Sequence, residues 1–186
     1  MPLSTLSIDD QTYIAERLGQ EASGVTVLGV ASRDAQGRPA VITNHPLRRA
    51  SGVGDVQVFP FPTMYWLIDP VCCKRMADLE RDGAVGALER AIAGEGALRE
   101  AVHADHRRYA AARWALLTEA EQRRAIDAGY GETLRDKGIG GIADFDRIKC
   151  LHLQMAYHLA EQAAGRDGTT VGRLIESGFT PQAPGR

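Results

Sequence analysis

The strand-forming segments of this chain all come early, and that order constrains the fold more than any single motif. Gly24-Val25-Thr26-Val27-Leu28-Gly29-Val30-Ala31 is short and β-branched, and Pro39-Ala40-Val41-Ile42-Thr43 repeats the pattern. Arg33 to Arg38 between them is a turn containing Asp34 and Gly37, so the pair reads as an antiparallel hairpin. A polar, glycine-containing loop from Pro46 to Asp55 follows. Thr63-Met64-Tyr65-Trp66-Leu67-Ile68 is then a third strand, apolar enough to be buried on both faces. From Asp69 onward the periodicity is helical. Strands gathered first and helices after them predict an α+β layer fold. The expected form is a small three-stranded antiparallel sheet packed against several helices, with a helix-rich C-terminal two-thirds.

Helix boundaries follow from local chemistry. Ser7-Ile8-Asp9-Asp10 opens a first helix over about 8–19, closed by Gly19. Asp69-Pro70 pairs a capping carboxylate with proline at the first helical position. That helix ends near Gly83. Further helices are expected around Val85 to Ile92 and from Glu95 to Leu117. Thr118-Glu119-Ala120-Glu121 has capping-box spacing and opens another. Asp144 is placed to cap a helix running to about Ala164, with Gly165 beyond its end. Thr169 to Ser177 closes the fold. The 186 residues read as a single domain: a sheet region over about 24–69, a helical region over about 70–178 and a frayed tail over 179–186.

Composition excludes several classes of function. The formal net charge is -2, and the arginines are interleaved with acids, so nothing advertises nucleic acid. No stretch approaches the ~20 apolar residues that span a bilayer. The first residues carry acids and lack an apolar run, unlike a secretory signal. Three cysteines, two of them adjacent, make no disulfide framework, and a reducing cytoplasm is the expected compartment. The oligomeric state is left open.

The reactive side chains concentrate between Lys137 and Gln162. Gly138, Gly140 and Gly141, flanked by Arg135 and Lys137, form a loop whose amides can turn toward an anion, or a tight connection that needs glycine. In the helix expected from Asp144, Cys150 and His158 share a stripe with Gln154, whereas His152 falls on the opposite flank of the apolar face. Upstream, His106, Tyr109 and Arg113 share one helix face. Arg113 could fork an anion there and His106 carry a proton, or the trio could be a packed helix edge. Cys72 and Cys73 fall in the first turn after Asp69, where a helix N-terminus lowers a thiol pKa. No Walker loop, Rossmann fingerprint, nucleophile elbow or zincin motif is present.

Three motifs carry a resemblance: Phe61-Pro62-Thr63-Met64-Tyr65-Trp66-Leu67, Gly138-Ile139-Gly140-Gly141-Ile142 and Lys149-Cys150-Leu151-His152. With the His106 to Arg113 stretch, they make the chain resemble a bacterial family known only as domain of unknown function 501, over roughly Val27 to Ile175. The family implies no activity. Its pattern implies cysteines at the positions of Asp34, Asp69 and Cys150, and a histidine near Tyr157 or His158. Such a set resembles a zinc or iron–sulfur site. With Asp34 and Asp69 in two positions, the resemblance implies a mixed site of Asp34, Asp69, Cys150 and His158 for a harder divalent metal ion.

The expected function is therefore a pocket between the central helix, the glycine loop and the His106 helix, closed by Asp34 and Asp69. It would take a small anionic ligand or a metal ion. In a catalytic version Cys150 is the nucleophile or ligand, His158 or His106 the base, and Tyr109, Arg113, Lys137, the loop glycines and His152 bind the ligand. The alternative is a non-catalytic adaptor or regulatory module that binds protein through its long helices.

Overall fold

The computed structural model describes residues 6–19, 25–50 and 57–179; at 49, 50, 57 and 58 only the backbone is described. The start of the first predicted strand, part of the 46–55 loop and all but the first residue of the 179–186 tail expected to fray lie outside these residues.

Helix α1 (Ile8–Leu18) begins with a reciprocal capping box. Ser7 accepts the Asp10 amide, and the Asp10 carboxylate accepts the Ser7 amide. Strands β1 (Val27–Arg33) and β2 (Pro39–Asn44) form the expected hairpin. Asp34 holds its turn, accepting the amides of Gln36 and Arg38. The apolar run after Phe61 gives β5 (Tyr65–Leu67), which pairs antiparallel with β2, so the sheet order is β1-β2-β5.

The central strand is β2, and all six of its residues are buried. Residues of β5 are only half-buried, because β5 is an edge strand. Alternation along the strands sends Ile42, Val30 and Trp66 to one face, where Ile14 and Leu18 of α1 meet them. Val41, Ala31, Tyr65 and Leu67 face the other way, against Ala156 and Ala160 of α7 (Leu151–Ala163). Helices thus cover both faces of the sheet.

The loop expected over Pro46 to Asp55 is instead the start of a second hairpin, β3 (Leu47–Ala50) with β4 (Gln57–Pro60). Arg48 and Arg49 masked it in the sequence; among the described side chains its buried apolar anchor is Leu47. Leu47 packs on Leu117, Ala125 and Leu134.

The helices α2 (Pro70–Arg81), α3 (Ala84–Gly94), α4 (Gly96–Ala115), α5 (Glu119–Asp127) and α8 (Thr170–Glu176) follow in the expected order, and a short α6 (Gly131–Arg135) adds to the expected set. Asp69 caps α2 through the Cys72 amide at 2.6 Å, and Thr118 with Glu121 forms the capping box of α5. The main core cluster joins α2, α3, α4, α7 and α8 through Met76, Leu88, Ile92, Val102, Leu151 and Ile175.

The face of α4 that carries His106, Tyr109 and Arg113 is buried, so the packed alternative is the one observed. Arg113 has no exposure. Its donors reach the carbonyls of Pro62 (3.0 Å), Thr133 (3.1 Å), Leu134 (2.8 Å), Lys137 and Gly138 (3.2 Å). Burial works against its charge, lowering its pKa from the ordinary arginine value, and the five carbonyl dipoles are what compensate. The Tyr109 hydroxyl accepts the Met64 amide at 2.6 Å and donates to the Pro62 carbonyl at 3.4 Å.

Arg113→Lys keeps the charge, but three donors on one nitrogen cannot reach carbonyls on three segments. The expected loss is about 3–5 kcal/mol, as for a buried charged group stripped of its partners. Urea unfolding would read it as a lower midpoint at an unchanged slope. A midpoint within error of the parent would contradict the assignment.

Candidate functional site

The central helix starts later than Asp144. That aspartate instead organises a turn, accepting the Asp146 amide at 3.0 Å, while its carbonyl accepts the Arg147 amide. Asp146 ties the turn to α4 through Arg99 and through His103 at 2.7 Å. Cys150 is the extended N-cap residue of α7, not a member of a helical stripe. It therefore does not look into one pocket with His158, and it faces α2 instead.

There it meets Glu80. Ligand atoms of Glu80, Cys150 and His152 all lie within 4.8 Å of one another, and among the described residues this is the one such group of three or more. Glu80 Oε1 accepts the Leu151 amide at 2.6 Å, supplying from α2 the cap that Cys150 does not provide. The same oxygen lies 3.0 Å from His152 Nδ1. His152 Nε2 donates to the Cys73 carbonyl at 3.1 Å, which fixes the ring with Nδ1 toward the cluster. Burial pushes the Cys150 thiol up, the amides of Leu153 and His152 pull it down, and the Glu80 carboxylate pushes it up again. All three residues are half-buried.

The structure does not bring Asp34 and Asp69 to Cys150. Asp69 and Glu80 stand near opposite ends of α2, about 16 Å apart at the helical rise of ~1.5 Å per residue. Asp69 caps its helix, and Asp34 is committed to its turn and to Arg38. Cys72 is not activated by the helix start. Burial, with Asp69 adding, pushes its pKa up to about 11.

His158 has no exposure and sits beside Gly168 and Gly172, where a Cβ would lie 2.3 Å and 2.1 Å from its ring. Its Nδ1 accepts the Thr169 amide at 2.8 Å, and its Nε2 lies 3.0 Å from Glu176 without hydrogen-bond alignment. It locks α8 onto α7 and faces no open site.

The glycine loop is likewise explained by protein contacts. Gly140 and Gly141 have φ of 71° and 82°, which glycine alone adopts readily. A Cβ on Gly138 would lie 2.4 Å from His106 Nδ1. The amides of Gly138, Ile139 and Gly141 are bonded to the Ile142 carbonyl, His106 and the Gly138 carbonyl. Lys137 pairs with Glu132, and Arg135 with Asp136. With Arg113 also committed, the cradle expected for an anion has neither free cations nor a row of free amides. A shallow cleft of about 380 Å³ beside it is lined by Arg107, Trp114, Arg135, Asp136 and Phe145 among others, but by none of these predicted ligand residues.

Glu80 was not singled out in the sequence. Its surroundings, Leu79-Glu80-Arg81-Asp82, read as a solvated helix end, and only the packing of α2 on α7 reveals it.

The fold and site define a helix-covered α+β domain with a nitrogen, oxygen and sulfur donor cluster where two helices meet. The chain belongs to the family described as protein of unknown function (DUF501), whose model matches residues 30–176. That range runs from β1 to the end of α8. No curated protein and no solved structure matches the chain. No helix among the described residues is long and apolar enough to cross a membrane.

His106 gives a pH signature. It has no exposure, stacks on Phe145 at 4.8 Å, and accepts the Ile139 amide at 3.0 Å. Burial, with His103 adding, lowers its pKa to about 4. The unfolded chain binds this proton near pH 6.5, so stability is full above that pH. It falls by up to ~3 kcal/mol as the pH drops toward 4, where the folded form also protonates. Unfolding free energies across pH 7 to 4 should lose that portion in His106→Gln; an identical slope in both proteins would exclude His106 as its source.

Proposed function

We propose that this protein is a metal-binding domain whose centre is formed by Glu80, Cys150 and His152. What supports the reading is the mutual approach of the three donor atoms. A carboxylate, a thiolate and an imidazole suit a borderline divalent ion of the zinc type better than a hard ion such as magnesium. The expected hard-ion site with Asp34 and Asp69 gives way to a softer one. The hydrogen bond from His152 Nε2 to the Cys73 carbonyl is the outer-shell contact that metal-ligating histidines ordinarily make. Three protein donors leave a coordination position open, the arrangement of centres that bind and polarise a small ligand.

The adaptor alternative has less behind it. The exposed large apolar side chains among the described residues, Ile8, Phe59, Val71 and Ile126, lie on four separate elements.

Cobalt(II) titration tests the proposal. One equivalent should bind and produce a thiolate-to-cobalt charge-transfer band. Cys150→Ser should lose the band. His152→Ala should weaken binding by more than the ~10–100-fold typical of a lost outer-shell partner. Substoichiometric binding by the parent, or an unchanged band in Cys150→Ser, would refute the centre.

A further inference from the structure

At the other end of α7 is a cleft of about 530 Å³ between α4, α8 and the segment joining α7 to α8. Its size is that of a small-molecule site. Small residues open it: Ala101 and Ala104 on α4, and Gly168 in the connection. Three arginines line it, Arg108, Arg166 and Arg173, all exposed.

Two of these arginines are held by carboxylates that are themselves almost fully buried. Asp105, 4% exposed, accepts Arg108 at 2.8 Å and the Thr170 amide at 2.6 Å. Glu161, also 4% exposed, takes Arg166 in a two-bond fork. Arg173 has no carboxylate partner among the described residues; it bonds the Asp167 carbonyl at 3.2 Å and the Thr170 hydroxyl at 3.4 Å.

Burying two carboxylates is costly unless each is fully bonded, and here each is. The result is a pair of guanidinium groups fixed in direction, with a third cation beside them. The Nη1 group of Arg166 has no hydrogen-bond partner among the described residues and stays available. Asp167, which also lines the cleft, is the one carboxylate there with no arginine ion pair among the described residues. Guanidinium groups held in place by buried acids are suited to phosphate, which they bind through paired N–H donors.

We propose that this cleft binds a phosphate-bearing small molecule, with Arg108, Arg166 and Arg173 as its anion contacts. The site is separate from the Glu80–Cys150–His152 centre and does not depend on it: Cys150 and Glu161 are about 16 Å apart along α7.

Inorganic pyrophosphate is the probe, titrated calorimetrically into the full chain with EDTA present so that no metal contributes. Chloride at matched ionic strength is the control for general salt effects. Pyrophosphate should bind where chloride gives no saturable heat. Arg173→Gln, whose own contacts are to neutral oxygens, should weaken binding at least tenfold. Ala104→Leu, which fills the cleft and leaves every charge in place, should abolish it. Lys74→Gln on α2, outside the cleft, should bind as the parent does. Arg166→Gln is avoided, since it strips Glu161 of its partner. Equal responses to pyrophosphate and chloride overturn the proposal. So does unchanged affinity in Arg173→Gln or in Ala104→Leu when circular dichroism shows the variant folded.

Discussion

The fold depends on one buried cation. Arg113 sits in the interior with no carboxylate partner among the described residues and is held by carbonyls from the 62, 133–134 and 137–138 segments. Two of those segments are irregular backbone and the third is the last turn of α6, the parts of a chain least able to satisfy their own polar groups when buried. One guanidinium answers several of them together, because its five donors diverge in a plane. Tyr109, a turn earlier on α4, completes the work at Met64 and Pro62. The approach to β5, the exit of α6 and the glycine loop are thus all fixed to one helix. A hydrophobic residue could fill the volume of Arg113 but would strip the Thr133, Leu134 and Lys137 carbonyls of their guanidinium donor, leaving Pro62 with Tyr109 and Gly138 with the Gly141 amide, at a cost that area burial does not recover.

This explains which parts of the fold were legible in the sequence. Ser7, Asp69-Pro70 and Thr118 are caps whose chemistry is local, so the residues alone announce the helix starts. The hairpin at Asp34 and Gly37 is local in the same way. Asp144 has the same local chemistry but no helix follows it. Its side chain satisfies a turn instead, and Arg99 and His103 pull the next residues onto α4. The true start of α7 has no local cap, because Glu80 provides one from a helix far away in sequence. Contacts of that kind leave no periodic trace. The site was legible to the same degree. Cys150 and His152 stood out as residue types, whereas their partner could be found only once α2 was packed against α7.

The His106, Tyr109 and Arg113 face shows how spacing and burial carry different information. The spacing places the three side chains on one face, and they are on one face. Whether polar groups on that face meet a ligand or backbone depends on what packs above them. Here the glycine loop does, with Gly138 so close to His106 that no side chain fits between them. Three glycines in four residues are accounted for by two left-handed conformations and one close approach, so no ligand is needed to explain them.

Both proposed sites lie at ends of α7, and the physical reason is its position. The helix is buried along most of its length, with Leu151, Gln154, Met155, Tyr157, His158 and Glu161 all buried. It packs on all three strands of the main sheet and on α2 and α8. A helix so enclosed meets solvent only near its termini, so side chains there are held by a rigid element yet can still reach a ligand. His158 sets the register. Its ring fits beside Gly168 and Gly172, and a rotation of α7 would drive it into the α8 backbone. With that rotation fixed, Cys150 and His152 are held toward Glu80 at one end, and Glu161 toward Arg166 at the other. A histidine that faces no ligand therefore positions both sets of residues that would.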